Sequence, residues 1–478
     1  MSSKVSTNPG NIREFKIFQA KDGGNMVDAS GVVMDIKYYE DILSNSISLS
    51  AIITESGESN NEKLDNKGIL DGLPIRGGEP STIIIEDFDG NKLEFKNDTK
   101  LYVNRVRNVI PGTQKDVYAV DFTSRELFAN EQCRVVRRYD GKISESVKKI
   151  LTEATSKNEG GEVGIKTKKS VDNFDDSNSY NFIGNDRKPF YVCTWLASKA
   201  APSDSNGGTA GYLFYETYDG FNFRSIDKLW EQKTKGNYLF SNINTNPSEY
   251  DGKIISYDIN RDIDLQNNLL MGTYSNRSLF FDFYAMNYQV RNFNVDSTQP
   301  AKSKEGGSKD KIVTGGADGI DSVADEFRKP ISRLMNRVLD VGTLPSGKDI
   351  DAQLEAWKEN PDNATFDAAD IMVQSVMRYN QLFSIKINIM IAGDFSLRAG
   401  DLIHCEFPEL SREHNKQVNQ RSGGIYMIAS LCHNITPRET YTSLTLVRDT
   451  FGRKPFSSFK HDKASRDYQN AKGDVLFY

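Results

Sequence analysis

The sequence predicts an α+β protein that is mainly β, and three observations carry the prediction. Residues 383–407 and 423–448 alternate apolar and polar side chains, residues 12–122 hold a second series of short alternating runs, and helix-spaced apolar residues lie between them. In the first stretch Ile385, Ile387, Ile389 and Ile391 share one face of a strand, with Lys386, Asn388 and Met390 on the other. Gly393-Asp394 and Gly400-Asp401 supply turn chemistry, each expected to be followed by a new strand. Several strands crowded into so short a stretch is barrel-like patterning, not catalytic patterning.

The N-terminal runs read the same way. Ile47, Leu49, Ala51 and Ile53 alternate with Ser46, Ser48, Ser50 and Ile52, Ile83–Ile85 is wholly apolar, and Val117, Ala119 and Asp121 alternate with Tyr118, Val120 and Phe122. A small antiparallel barrel or sandwich is expected. Next, Ile143, Val147, Ile150 and Leu151 mark a helix over 142–155 with Ser144 or Ser146 as cap candidates, and Pro189 opens a second helix containing Val192, Trp195 and Leu196. The polar stretch 156–187 between them predicts a loose excursion. Tyr218-Asp219-Gly220 between Tyr212–Thr217 and Phe221–Ser225 predicts an aromatic hairpin.

Strands resume at 254–257 and 279–284. Residues 296–319 are charged and rich in small side chains, and 342–363 is similar, so both read as flexible insertion. Val323, Phe327, Ile331, Leu334 and Val338 are helix-spaced, and a further helix is expected from a Thr365 cap to Phe383. After Arg448 the chain is polar and basic until Val475-Leu476-Phe477-Tyr478, apolar residues expected to dock on a neighbouring surface.

Length and charge narrow the function classes. At 478 residues two to four domains are expected, and 60 basic against 66 acidic residues give a net charge of −6. That balance does not suit a protein that grips nucleic acid, although a wall past which DNA slides is compatible with it. No apolar run is long enough to span a bilayer, and the N-terminal residues lack a secretory core. Cys133, Cys193, Cys405 and Cys432 are scattered, as expected of reduced thiols.

Candidate chemistry is sparse. His404-Cys405 and Cys432-His433 hold metal-ligand types, but neighbours on a strand point to opposite faces, so no tetrahedral set is expected. No G-x-S-x-G elbow accompanies the four histidines. Glu40-Asp41 are adjacent carboxylates whose side chains diverge, which disfavours glycoside hydrolysis. The glycines at 77–78 and 315–316 precede no Lys-Ser or Lys-Thr pair.

Several segments resemble the baseplate hub protein of contractile-tailed, T-even-like bacteriophages, a family related to the base of type VI secretion spike proteins. The segments are Tyr38-Tyr39-Glu40-Asp41-Ile42-Leu43 leading into the Ile47 strand, Pro74-Ile75-Arg76-Gly77-Gly78-Glu79, the helix followed by an aromatic hairpin, Ile391–Gly393, Leu397–Asp401 and Phe407-Pro408. The resemblance implies a first tube-type β-barrel over 1–122, an α/β domain over 123–236, a second, split barrel from 237–295 and 384–450, a flexible and helical insertion over 296–383, and a tail over 451–478. Its hub-motif residues, read as structural and as interface candidates, are Tyr39, Glu40, Asp41, Arg76, Gly77, Gly78, Glu79, Asp219, Gly220, Gly393, Gly400 and Asp401. It implies no enzyme activity, no cofactor and no metal. The implied assembly is a virion homotrimer, built in the host cytoplasm, whose six barrels form a ring between the hexameric tail tube and tape measure above and a separate trimeric spike below. Wedge proteins of the baseplate surround it, DNA passes without sequence recognition, and the chain does not insert into a membrane. The rival reading is a tail-associated module that binds or degrades cell-wall carbohydrate.

Overall fold

Period-two patterning resolves into strands wherever branched apolar residues alternate with polar ones, and those strands build two barrels. The structure is a computed structural model and describes residues 7–20, 24–56, 67–112, 114–203, 208–240, 250–260, 265–283, 286–294, 323–338, 368–408, 419 and 422–450. The fold is α+β and mainly β.

The first barrel comprises β1 (Asn11–Phe18), β2 (Met26–Asp28), β3 (Val33–Asp41), β4 (Ser48–Glu55), β5 (Pro80–Glu86), β6 (Lys92–Phe95), β7 (Leu101–Ile110) and β8 (Asp116–Ser124), with the short helix α1 (Ile69–Gly72) before β5. Its sheet order is β2-β1-β5-β7-β8-β4-β3, with β6 on β5. Phe15, Ile17, Ile36, Tyr38, Leu49, Ile53, Ile83, Ile85, Val103, Val120 and Phe122 fill the interior.

A helix-rich region follows: α2 (Arg125–Gln132), β9 (Arg138–Tyr139), α3 (Ile143–Thr152), β10 (Ser156–Asn158), β11 (Gly161–Val163), β12 (Asn173–Phe174), β13 (Phe182–Ile183), α4 (Pro189–Ala197), the hairpin β14 (Tyr212–Thr217) and β15 (Gly220–Ser225), and α5 (Ile226–Glu231). The expected loose excursion over 156–187 is instead woven into this core, where Ile165, Tyr180 and Phe182 are buried beside Val147, Phe190, Leu196 and Phe223. A few apolar anchors suffice to order a polar segment. Lys142, not a serine, stands at the N-cap of α3 and makes no side-chain cap, because an ammonium only donates; Ser177 Oγ accepts the Ser144 N–H instead (2.8 Å).

The second barrel is β16 (Thr234–Phe240), β17 (Gly252–Asn260), β21 (Ile385–Ala392), β22 (Leu402–Glu406), β23 (Gly424–Ile435) and β24 (Thr440–Arg448). It closes on itself in the order β16-β22-β23-β24-β21-β17 and back to β16. The Gly393–Asp401 connection contains no strand of its own. Between β17 and β21 the chain leaves the barrel. It makes α6 (Leu265–Met271), β18 (Ser275–Asp282), β19 (Asn287–Asn294), α7 (Asp325–Arg328), β20 (Arg333–Val338) and α8 (Ala368–Leu382). Here β18, β19 and β20 form a separate sheet, so residues 275–294 do not belong to the second barrel. The helix expected over 323–338 is a single turn followed by a strand, because Arg333–Val338 pairs in parallel with Asn276–Phe281. The Thr365 cap and both polar linkers lie outside the described residues.

The two barrels repeat one another strand for strand. The first runs β1-β5-β7-β8-β4-β3 and the second β16-β22-β23-β24-β21-β17. Two irregularities match: the register slips between Val33 and Asp35 and between Ile254 and Ser256, and again between Val103 and Arg105 and between Ile428 and Ser430. Bulges are inherited features of a sheet, and these fix the equivalence residue by residue. The barrels differ in that β1 is antiparallel to β5, whereas β16 is parallel to β22; the first also carries β2 and β6, and among the described residues β3 does not pair with β1 as β17 pairs with β16.

Candidate functional site

Two features stand out, a continuous sheet face and the junction that holds it. Strand β3 of the first barrel pairs with β23 of the second from Asp41↔Ser430 to Ile36↔Ile435. One antiparallel sheet therefore runs β7-β8-β4-β3-β23-β24-β21-β17 through both barrels. Its inner side is the apolar core of both barrels. Its outer side carries cross-strand rows of small polar residues. One row is Ser256, Met390, Ser443, Cys432, Tyr39 and Ser48; the next is Asp258, Asn388, Thr445, Ser430 and Asp41; a third is Tyr441, Asn434, Lys37, Ser50, Asp121 and Arg105. Over the inter-barrel seam the first two of these rows line a groove of about 940 Å³. Charges on this face are largely paired within it: Asp121 takes Arg105 and Arg107 at 2.9 Å, and Lys37 lies 3.6 Å from Asp35. Such a surface attracts phosphate weakly.

At both ends the sheet is unfinished. Among the described residues, no strand pairs with the outer edge of β7 beyond Val103 or of β17 beyond Ser256. Unpaired edges invite another chain.

The junction gathers three of the sequence motifs. Glu40 points inward from β3, buried, and accepts hydrogen bonds from Tyr38 Oη (2.7 Å), Tyr218 N (2.8 Å) and Ala399 N (2.9 Å). Thus the first barrel, the hairpin turn and the β21–β22 connection meet on one carboxylate. Arg398 lies over the Tyr218 ring at 4.7 Å and bonds Asp219 through Nε at 3.0 Å, while its own N–H donates to Asp401 (2.8 Å). Gly400 has φ +90, and a Cβ there would stand 2.3 Å from Tyr215 Oη; Gly220 has φ +131 and lies against Ser170 O. These two positions require glycine.

The remaining motif residues divide. Tyr39 and Asp41 face outward on the sheet, so the adjacent carboxylates Glu40 and Asp41 diverge. Asp41 caps its own turn by accepting Leu43 N–H (2.7 Å). Glu79 accepts the N–H groups of Arg76 (2.7 Å) and Gly77 (2.9 Å), and Gly78 N donates to Val103 O, so this motif docks on β7 and not on the junction. Gly393 closes against Thr440, its N–H donating to Thr440 O at 3.0 Å.

A second buried cluster bolts the hairpin to the first barrel. Glu216 accepts Ile47 N–H (3.1 Å) and Ser124 Oγ–H (2.8 Å) and pairs with Lys169, which also lies 3.5 Å from Glu126. Burial opposes the Lys169 charge, but the Glu216 and Glu126 carboxylates outweigh it and push its pKa up. A third cluster sets Arg378 of α8 between Asp227 (3.0 Å) and Asp449 (3.4 Å). Lys169, Glu216, Arg378 and Arg398 have no motif in the sequence: Glu216 and Arg378 are single charges inside apolar runs, Lys169 lies in a lysine-rich stretch and Arg398 in a turn.

Burial pushes the Glu40 carboxyl up to about 7, against the lowering effect of Arg398 and the three donors. A carboxyl that holds its proton more tightly folded than unfolded adds stability in acid. That stability is lost as pH rises from the ordinary carboxylate range through about 7. On going from about pH 8 to about pH 5, the wild type is therefore expected to gain on the order of 3 kcal/mol relative to Glu40→Gln. Paired urea titrations across that range check it, and parallel pH profiles would refute it.

No metal-binding group of His, Cys, Asp and Glu occurs among the described residues. His433 is buried with Nδ1 2.8 Å from Thr442 Oγ1, and His404 lies 3.2 Å from Glu406. The four cysteines are free thiols. The aromatic residues of the hairpin, Tyr212, Phe214, Phe221 and Phe223, are buried and offer no platform for a sugar. No described helix is long and apolar enough to cross a membrane.

No protein-family model and no curated relative matches the sequence. Among solved structures, the chain is similar to a tail protein from Neisseria meningitidis MC58, with 11% identity over 93% of this chain and 97% of that one and a TM-score of 0.48. It is also similar to the 43 kDa tail protein of prophage MuSo2 from Shewanella oneidensis, with 10% identity, 91% and 98% coverage and a TM-score of 0.46. A component of the E. coli type VI secretion system overlaps it with 9% identity, 93% and 79% coverage and a TM-score of 0.37.

Proposed function

We propose that the chain is a non-enzymatic baseplate hub of a contractile tail, a homotrimer whose barrels form a quasi-six-fold ring around a channel for DNA. One observation carries the reading. The β3–β23 seam joins two equivalent barrels side by side and leaves the equivalent edges open at the two ends. Strand β17 is the counterpart of β3, and β7 is the counterpart of β23. Pairing β17 of one copy with β7 of the next repeats the internal seam between subunits. The eight strands alternate in direction along the sheet, so this contact is antiparallel like every other. A heterologous contact of this kind closes a ring when its rotation permits. The polar outer rows then face the lumen, where hydroxyl and amide groups and largely paired charges hold a polyanion only weakly.

The two rims differ. At one rim lie the β7–β8 and β23–β24 turns, equivalent in both barrels, which suits a hexameric tube and the tape measure within it. At the other rim the chain leaves β8 for the helix-rich region, leaves β17 for the inserted sheet and ends β24. That rim repeats only three times per ring and suits a trimeric spike. Contacts to wedge proteins and a place in the virion tail follow from the same reading.

The seam also gives the register. Ile42 N donates to Ala429 O (2.9 Å), which makes Tyr39–Cys432 a non-hydrogen-bonded, closely spaced pair. Its intersubunit counterpart is Asn260 opposite Arg107 of the next copy. With Arg107→Cys and Asn260→Cys together, mild oxidation is expected to give covalent trimers on a non-reducing gel, since such pairs suit disulfide geometry. Light scattering on the wild type, alone and with the candidate spike protein, gives the independent mass. A monomer under both conditions, with no cross-linking, overturns the ring.

A further inference from the structure

We propose that the exposed apolar face of the inserted sheet is the docking surface for residues Val475–Tyr478 of the same polypeptide. In the register of this sheet Phe281 lies between Tyr288 and Val338, and Leu279 is opposite Val290. Phe281 is 43%, Tyr288 63% and Val338 52% exposed, whereas Phe280 and Met335 on the opposite side are buried. A cluster of large apolar side chains on one face of a small sheet is the kind of surface that marks an interaction site.

The position of the exit point selects the occupant. Arg378 of α8 holds Asp449 at the end of β24 (3.4 Å). In the next turn of the same helix, Asn380 Nδ2 donates to Met271 O (3.3 Å) and Gln381 Nε2 to Thr273 O (3.5 Å), just before β18 begins. The chain beyond Thr450 therefore departs at the root of the inserted sheet. From there Phe281 lies about 20–30 Å along β18 at a strand's rise per residue. A chain of the length of 451–474 spans about 25–30 Å when it behaves as a random coil. A tether whose length matches its span gives an effective concentration in the millimolar range, enough for a weak apolar contact to form. Val475, Leu476, Phe477 and Tyr478 supply the side chains. In extended form alternate members face the sheet, and among the described residues β20 is an edge along which such a segment can lie.

The test uses the full chain with a photoreactive benzoyl-phenylalanine in place of Phe477, prepared as a mixture of isotopically light and heavy protein. Irradiation is expected to link position 477 to peptides spanning Leu279–Val290 or Arg333–Val338 within one label class. Phe281→Asp or Leu334→Asp is expected to cut the yield at least tenfold. Links between label classes, links only to other regions, or a yield indifferent to both substitutions overturn the proposal. The readout needs no trimer, so it stands or falls separately from the ring.

Discussion

Lys169→Met is expected to destabilise the protein by about 3–5 kcal/mol, because it strands buried carboxylates without their cation. Lys169 and Glu216 are both almost wholly shielded from solvent (side chains 4% and 0% exposed). Glu216 also anchors the start of β4 through Ile47 and the end of β8 through Ser124. Loss of the cation thus loosens the attachment of the hairpin to the first barrel as well as costing electrostatic energy. Lys169→Met combined with Glu216→Gln should recover part of the loss, since it removes one of the two stranded charges and leaves an amide oxygen to accept, while Glu126 stays buried without its cation. Urea unfolding of the two variants decides the matter. A single variant within about 1 kcal/mol of wild type would mean that the pair is incidental.

Val106→Pro is expected to abolish the trimer while leaving the monomer folded. Val106 is the counterpart of Leu431, which faces Glu40 across the internal seam. The Ile42–Ala429 bond sets the alternation by which the Leu431 N–H points across that seam. Its equivalent at Val106 points out of the open edge. Proline there deletes the donor and places a ring where the next strand would pack, but among the described residues it breaks no strand pairing. The expected mass by light scattering is one third of the wild-type value, with a cooperative unfolding transition retained at a lower midpoint, since association no longer adds to stability and Val106 packs partly on the core. A trimer of normal stability would remove β7 from the interface.

The sequence foretold strands where period-two alternation and branched residues coincide, as in Ile385–Ala392 and Ser48–Glu55, because half-buried strands require that pattern. It misled over 323–338, where apolar residues at helical spacing belong to a strand fixed by a partner remote in sequence. The repeat of the two barrels was invisible for a physical reason. Equivalent outer positions carry unlike side chains, Lys37 against Asp258 and Tyr39 against Asn260, while the backbone register and bulges are what persist. Of the motif residues, Glu40, Asp219, Gly400 and Asp401 converge. Arg398, which joins them, lacked any marker in a turn of ordinary composition.

The β3–β23 seam has a consequence for how a ring could form at all. Six separate barrels would have to meet, each losing its translational and rotational freedom. In the proposed ring every second contact would already be made within a chain, by the β3–β23 seam, at no cost in free subunits. Assembly then depends on the third power of concentration and not the sixth, so a closed ring can accumulate from a dilute pool in which six independent pieces would stay apart.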